Sequence, residues 1–171
     1  MSEAEERRRV VTWADPKAAA QAGRGLAGLD YLLAMRDGVL PLPPALLLLG
    51  IEMPEAEAGR VVMTLRPGEH LYNPLGSVHG GMIATLLDSV MGCAVHSTLP
   101  QGRGYTTLEI KVNYLRALTE RTGTVSAEGR VTQAGRSAAF AEASLTDASG
   151  RLYATASTTC LVFDIPGQLP V

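Results

Sequence analysis

The sequence predicts an α+β fold in which a curved antiparallel β-sheet wraps around one buried helix. Residues 80–96 are the only long, strongly apolar helix candidate in the chain. One short strand candidate, residues 59–65, precedes this helix. Four further strand candidates follow it, at residues 105–115, 122–132, 137–145 and 152–163. A strand, a helix and four consecutive strands are typical of a sheet rolled around a single helix.

The boundaries and faces of these elements follow from local patterns. Gly76 and Ser77 come just before the central helix, and Leu99-Pro100-Gln101-Gly102 ends it. The turn Asp147-Ala148-Ser149-Gly150 is expected to join the last two strands as a hairpin. Residues 105–115 alternate between two sets, which are expected on opposite faces of one strand. One set is Thr107, Glu109, Lys111 and Asn113, and the other is Leu108, Ile110, Val112 and Tyr114.

The chain is expected to have three parts. Residues 1–44 would form a helical or irregular extension, residues 45–165 the core domain, and residues 166–171 a short tail. The first 24 residues are charged and rich in Ala and Gly, which favours loose order, and their three consecutive arginines are interpreted as a solvated helix face. Apolar residues recur at helical spacing from Leu26 to Met35, before a run of prolines interrupts the helix.

Composition narrows the class of protein. The 171 residues suffice for one domain with a sizeable core. A net charge of −2 gives no reason to expect nucleic acid or an anionic membrane as a partner. Cys93 and Cys160 are not in a CxxC pair, so they are interpreted as small core residues. No segment has the pattern of a secretory signal or of a membrane span, so a cytoplasmic protein is expected.

Asp88 is the one acidic residue of the central helix. No Lys or Arg occurs between Pro67 and Gln101, so no neighbour in sequence can neutralise its charge. A buried carboxylate without a partner costs on the order of several kcal/mol. Asp88 therefore either has a chemical function or reaches a partner from another segment, such as a backbone amide or Arg116.

His79-Gly80-Gly81 opens the same helix. The first N–H groups of a helix have no partner within it and carry partial positive charge, and glycine leaves them accessible. Donors of this kind can polarise a carbonyl or stabilise an oxyanion. The alternative is that the two glycines only allow another backbone to pack closely.

The distance between these two features predicts an oligomer. In a regular helix, Gly80 and Asp88 are about 12 Å apart along the axis. A base and an oxyanion donor that act on one carbonyl must each lie roughly 3 Å from the reacting atoms. Two antiparallel copies of the helix could bring Gly80 of one chain to Asp88 of the other. Gly81, Ala84 and Gly92 on the Asp88 face would permit this approach.

The motif Asn73-Pro74-Leu75-Gly76-Ser77-Val78-His79-Gly80-Gly81, followed by Leu86-Leu87-Asp88, closely resembles the phenylacetate-pathway-type (PaaI-like) hotdog thioesterases. These share an Asn, a Gly, the His-Gly-Gly and an acid nine residues after the His. Residues 105–109, 113–116, 135–136 and 147–150 are also similar. The resemblance covers about residues 45–164. It implies a hotdog fold, hydrolysis of acyl-CoA thioesters with an aryl or medium-chain acyl group, and a homotetramer built from dimers.

The resemblance also implies roles for the matching residues. Asp88 would be the general base for a water, or alternatively the nucleophile, in attack on the thioester carbonyl. The Gly80 N–H would polarise the carbonyl oxygen. Asn73 would hold the water or the thioester, and His79 would support the loop. Thr107 would orient the acid.

Contacts with the substrate are expected from a second set of residues. Thr106 competes with Thr107 as the orienting hydroxyl, because the loop before the strand makes the alignment uncertain by one position. Arg103 is a further candidate for the phosphates of coenzyme A. The residues expected to bind substrate are Gly81, Thr106, Arg116 and Arg136.

Two other functions stay open at this point. One is a non-catalytic acyl-CoA sensor, which would not require Asp88. The other is a hotdog hydratase or dehydratase, which would need a His opposite the acid. His70, His79 and His96 fit no metal-ligand spacing. No metal or cofactor is therefore expected, and coenzyme A is part of the substrate.

Overall fold

Six antiparallel strands form one sheet that wraps around a central helix, in a computed structural model that describes residues 6–165. The strand order is β1-β2-β4-β5-β6-β3. The strands are β1 (Ile51–Glu57), β2 (Arg60–Leu65), β3 (Arg103–Tyr114), β4 (Val125–Ala134), β5 (Ala138–Asp147) and β6 (Leu152–Asp164). The helices are α1 (Pro16–Ala22), α2 (Gly28–Arg36), α3 (Pro44–Leu49) and α4 (Gly80–His96). The predicted α+β fold class is confirmed.

The sheet has one more strand than the sequence predicts. Strand β1 was missed because Pro54 interrupts it and its buried and exposed residues do not alternate strictly. The pairing of β1 with β2 shifts register between Glu52 and Glu55. Pro54 is tolerated because β1 is an edge strand, and proline is confined to edges and bulges within sheets.

Helix α4 has the predicted bounds and supplies the centre of the core. Its side toward the sheet is buried, including Leu86, Leu87 and Val90, none of which is exposed. Gly129 in β4 allows the close approach, because a Cβ there would lie 2.6 Å from the Val90 carbonyl oxygen. Helix α4 is not buried on every side in the single chain. Its opposite flank, which includes Asp88, is only half-buried.

Strand β3 lies at the other edge of the sheet and contains a bulge. Thr107 pairs with Cys160 in β6, but the next pair joins Glu109 to Thr159, so Leu108 is an extra residue. An extra residue reverses the alternation of side chains beyond it. Thr107 therefore lies on the helix side together with Ile110, against the prediction that the two face opposite ways.

Part of the extension is helical, including residues 16–22, where the sequence favours loose order. Helix α1 is capped by Asp15, whose carboxylate accepts a hydrogen bond of 2.9 Å from the Lys17 N–H. Helix α2 packs against the end of α4, since a Cβ at Gly28 would lie 1.8 Å from the His96 carbonyl oxygen. Residues 1–5 and the expected tail, 166–171, lie outside the described residues. No helix within residues 6–165 is long and apolar enough to cross a membrane.

Candidate active site

Asp88 and Thr107 form the central contact of the candidate site. The Thr107 hydroxyl donates a hydrogen bond of 2.9 Å to Asp88 Oδ1. Asp88 Oδ2 accepts no hydrogen bond from residues 6–165, so it is available to a water or a ligand. Thr106, the competing assignment, is exposed on the outer face of the sheet. Arg116, the alternative partner, instead donates from Nη1 to the Leu152 carbonyl.

Of the first two N–H groups of α4, one has a hydrogen-bond acceptor among residues 6–165 and the other has none. His79 is the N-cap, and its Nδ1 accepts a hydrogen bond of 2.9 Å from the Gly81 N–H. The His79 N–H donates to the Leu71 carbonyl over 2.8 Å, which fixes the loop against the helix. The Gly80 N–H has no acceptor within the described part of the chain. Gly80, rather than Gly81, therefore presents the available donor.

Tyr114 also belongs to this end of the helix, although the sequence did not single it out. Its hydroxyl donates a hydrogen bond of 2.8 Å to the Gly80 carbonyl. Its ring lies against Gly80, where a Cβ would be 3.3 Å from Tyr114 Cζ. Tyr114, Gly80, Ser77 and Arg116 are among the residues around a cavity of about 300 Å³. Alternation places Tyr114 on the same face as Ile110 and Val112, but it does not reveal the contact of the hydroxyl with Gly80.

Asn73 closes the loop that leads to α4. Its side-chain Oδ1 accepts hydrogen bonds from the N–H groups of Leu75, at 2.9 Å, and Ser77, at 3.3 Å. Its Nδ2 donates to the Ser77 hydroxyl at 3.2 Å. The Asn73 amide thus holds the loop together, and only part of its donor capacity is left for a water or a thioester.

The two arginines expected to bind substrate are far apart in one chain. Arg116 lies two residues after the end of β3, whereas the Arg136 carbonyl accepts a hydrogen bond from Arg103 at the first residue of β3. The strand has 12 residues, which at 3.3 Å per residue spans about 36 Å. One chain therefore cannot direct both Arg116 and Arg136 at a single coenzyme A phosphate.

Two other reactive side chains of α4 are held in their neutral forms. Burial, and secondly the nearby Asp88 charge, raise the pKa of the Cys93 thiol to about 12, so it is a poor nucleophile at neutral pH. Burial lowers the pKa of His96, so this helix-end residue does not carry the charge that a helix dipole would favour. Its Nδ1 is buried without a hydrogen-bond partner among residues 6–165.

No metal site competes with this interpretation in the described ranges. Among residues 6–165, no group of three His, Cys, Asp or Glu side chains could hold a metal ion. A cavity of about 700 Å³ lies on the outer face of the sheet, beside Lys111 and Arg130, and contains none of the predicted site residues.

The sequence matches the thioesterase superfamily over residues 75–154. A protein of Saccharolobus solfataricus that is named an esterase is 30% identical over 115 residues, which cover 67% of this chain and 75% of that protein. The 1,4-dihydroxy-2-naphthoyl-CoA hydrolase of Listeria monocytogenes is 26% identical, over 67% of this chain and 91% of its own length. An esterase-named protein of Halobacterium salinarum is 33% identical, over 57% of this chain and 66% of its own length.

Solved structures share the fold. A thioesterase-like, phenylacetic acid degradation-related protein from Ralstonia eutropha JMP134 superposes with a TM-score of 0.70 at 29% identity, over 77% of this chain and 98% of that one. A Streptococcus mutans protein bound to acetyl-CoA superposes with a TM-score of 0.62 at 29% identity, over 67% of this chain and 90% of that one. The Escherichia coli PaaI protein superposes with a TM-score of 0.70 at 19% identity, over 84% of this chain and 97% of that one. At this low identity, the likeness supports the fold alone. The chain belongs to the thioesterase superfamily, and it shares the hotdog fold with PaaI-like thioesterases.

Proposed function

We propose that this protein hydrolyses acyl-CoA thioesters that carry an aryl or medium-chain acyl group, with Asp88 as the group that activates water. The observation that carries the proposal is the state of the Asp88 carboxylate. Thr107 fixes one of its oxygens, while the other accepts no hydrogen bond from residues 6–165. The acetyl-CoA bound to the Streptococcus relative and the aryl-CoA substrate named for the Listeria relative support this substrate class.

The proposed reaction uses a water held at Asp88 Oδ2. Asp88 removes a proton from this water while the water oxygen attacks the thioester carbonyl carbon. The Gly80 N–H stabilises the oxyanion that forms. When the C–S bond breaks, the proton held by Asp88 goes to the departing sulfur, so the products are free acid and coenzyme A. Direct attack by Asp88 would form a mixed anhydride instead, and hydroxylamine would trap that intermediate as a hydroxamate.

The site would be shared by two copies of the chain. Gly80 and Asp88 lie on one helix, about 12 Å apart along its axis, so they do not meet on one thioester within one subunit. The half-buried flank of α4 and the outer edge of β3, whose Leu108 is 61% exposed, are free to contact a second copy. The small residues Gly81 and Ala84 lie on that flank. Gly92 does not help the approach as expected, because it is buried beneath Tyr105.

A tetramer is part of the proposal, as the family resemblance implies. A tetramer needs a second contact, between two dimers. Exposed apolar side chains on the neighbouring strands β3, β5 and β6 support such a contact. These are Leu108, Phe140, Leu161 and Phe163.

The first experiment measures free thiol released from a panel of benzoyl-, phenylacetyl-, hexanoyl- and acetyl-CoA by the purified protein. Hydrolysis of at least one thioester is expected. Tight binding of a coenzyme A ester without thiol release would favour the non-catalytic sensor and contradict the proposal.

A complementation experiment tests the shared site. Asp88→Ala and Gly80→Val are each expected to be inactive alone. When the two variants are co-expressed, a hybrid dimer contains one site with both defects and one site with neither. Random pairing would then restore about a quarter of the parental activity in the mixture. Co-expressed variants that stay as inactive as each one alone would place both groups in one subunit and overturn the shared site.

A further inference from the structure

An apolar pocket lies where the extension meets the core, and we call it the extension pocket. Its volume is about 380 Å³, within the range of small-molecule sites. Residues from the extension, from the end of α4 and from the start of β3 surround it. They include Ala20, Leu26, Tyr31, Cys93, His96 and Tyr105. The superfamily match begins only at residue 75, so the extension lies outside the matched family region.

Glycines fix the aromatic walls of this pocket. The Tyr31 ring lies against Gly23, where a Cβ would be 2.1 Å from the ring, and the Tyr105 hydroxyl lies 2.5 Å from where a Cβ of Gly92 would be. The His96 ring stands between the two tyrosines, with centroid distances of 5.6 Å to Tyr31 and 5.7 Å to Tyr105. Walls that are fixed before binding lower the entropy cost of holding a ligand.

Three uncharged rings line the extension pocket, and Arg24 borders it. Burial raises the pKa of Tyr31 and raises that of Tyr105 well above its usual value, so both phenols stay protonated. Burial lowers the pKa of His96, which favours neutral imidazole. Arg103 also borders the pocket, but its Nε lies 3.2 Å from an Asp164 oxygen and its Nη2 donates to the Arg136 carbonyl. Three neutral rings favour an uncharged aromatic group, which can pack against their edges and faces.

Two residues that line the pocket, Tyr105 and Cys93, lie close in sequence to the proposed catalytic pair. Tyr105 is two residues before Thr107 on the same face of β3, a separation of about 7 Å. Cys93 is five residues after Asp88 on α4, which corresponds to about 7.5 Å along the axis. A ring attached to a thioester carbonyl at Asp88 could therefore extend into the extension pocket.

We propose that the extension pocket holds the acyl group of the substrate and that the extension, through Ala20, Leu26 and Tyr31, makes the enzyme select an uncharged aryl group. This inference rests on the proposed function, because it assigns the acyl half of the same substrate. It differs from that function in naming a specificity element outside the matched family region.

The test fills the pocket from its extension side. Ala20→Trp places a large ring into the pocket from α1, and Ala18→Trp makes the same change on the same helix at an exposed position that does not border the pocket. For the parent, kcat/KM is expected to be at least tenfold higher for benzoyl-CoA than for hexanoyl- or succinyl-CoA. Ala20→Trp should lower kcat/KM for benzoyl-CoA about tenfold, mainly through KM, and should lower kcat/KM for the shorter acetyl-CoA by a smaller factor. Ala18→Trp should behave as the parent.

A second variant opens the pocket instead. Leu26→Ala removes a partly exposed side chain from its wall and is expected to raise the rate for naphthoyl-CoA relative to benzoyl-CoA. Benzoyl-CoA binding to the Asp88→Asn variant, measured by calorimetry with and without Ala20→Trp, separates this inference from the proposed function. Binding that is weakened by Ala20→Trp would support the pocket even if the parent releases no thiol.

Four outcomes would overturn the inference. Equal kcat/KM values for Ala20→Trp and Ala18→Trp on benzoyl-CoA would show that the pocket does not hold the acyl group. A parent preference for hexanoyl-CoA would assign a linear chain to the pocket, and one for succinyl-CoA an anionic group. Loss of the dimer in Ala20→Trp, seen by light scattering, would show that a partner subunit occupies the pocket.

Discussion

The two flanks of α4 differ in what surrounds them and in what they contribute. The flank toward the sheet is built from Leu86, Leu87 and Val90, which are fully buried. The other flank is half-buried and carries Asp88, whose only hydrogen bond within residues 6–165 comes from Thr107. One flank therefore gains stability from packing, whereas the other keeps a polar group available for a ligand. The contrast predicts that substitutions on the two flanks have separable effects on activity and stability.

The largest expected effect on activity comes from Asp88→Asn. The carboxamide keeps an acceptor for the Thr107 hydroxyl but cannot take a proton from water, so kcat should fall roughly 10²- to 10⁴-fold. The melting temperature should stay near that of the parent. Thiol release and thermal unfolding measure the two quantities. Ser89→Ala on the same flank is the matched control, and an Asp88→Asn protein as active as Ser89→Ala would refute the role of Asp88.

Leu87→Ala, at the adjacent position that faces the sheet, should have the opposite effect: a large change in stability and a small change in activity. Removal of a fully buried Leu side chain leaves a cavity and should lower the free energy of unfolding by about 2–5 kcal/mol. Activity per folded molecule should change little. Urea unfolding, combined with kcat below the transition, checks both statements. Val39→Ala, at a position that is 77% exposed, should leave stability unaltered. If Leu87→Ala abolished kcat while the fold stayed intact, the separation of the flanks would fail.

Thr107→Val should have the smallest effect of the three substitutions. It tests the residue that holds Asp88 on the half-buried flank of α4. The change keeps the shape of the side chain and removes a hydrogen bond to a charged group, worth about 1.5 kcal/mol, which corresponds to a roughly tenfold loss in kcat. Thr107→Ser should retain most of the activity. Thr106→Val, on the exposed face, should match the parent. A larger loss for Thr106→Val than for Thr107→Val would reverse the assignment.

The sequence predicted the central helix better than the strands around it. The bounds of α4 follow from an apolar run with glycines at its start and a Pro-Gly segment after its end. Strand β1 was missed because Pro54 and a register shift break its pattern. Long elements with a strong period are more predictable than short edge strands, whose residues face solvent and carry little apolar signal.

The candidate site was only partly predictable for a physical reason. The family resemblance pointed to Thr107, yet simple alternation placed it on the face opposite Ile110. The single extra residue at Leu108 resolves this conflict, and it leaves no mark on composition. The hydrogen bond from the Tyr114 hydroxyl to the Gly80 carbonyl joins residues 34 positions apart, so no local pattern could reveal it. The distance between Arg116 and Arg136 likewise depends on the length of a strand and not on spacing in a motif.

The bulge at Leu108 divides β3 into two halves that are out of phase with each other. A strand of this kind is sensitive to length in a way that an even strand is not. Deleting Leu108 would give β3 one continuous phase, and either Thr107 or the segment from Ile110 to Tyr114 would have to turn away from α4. Single substitutions along β3 can therefore be tolerated. Gain or loss of one residue, in contrast, would prevent β3 from placing Thr107 against Asp88 and Tyr114 against Gly80 at the same time.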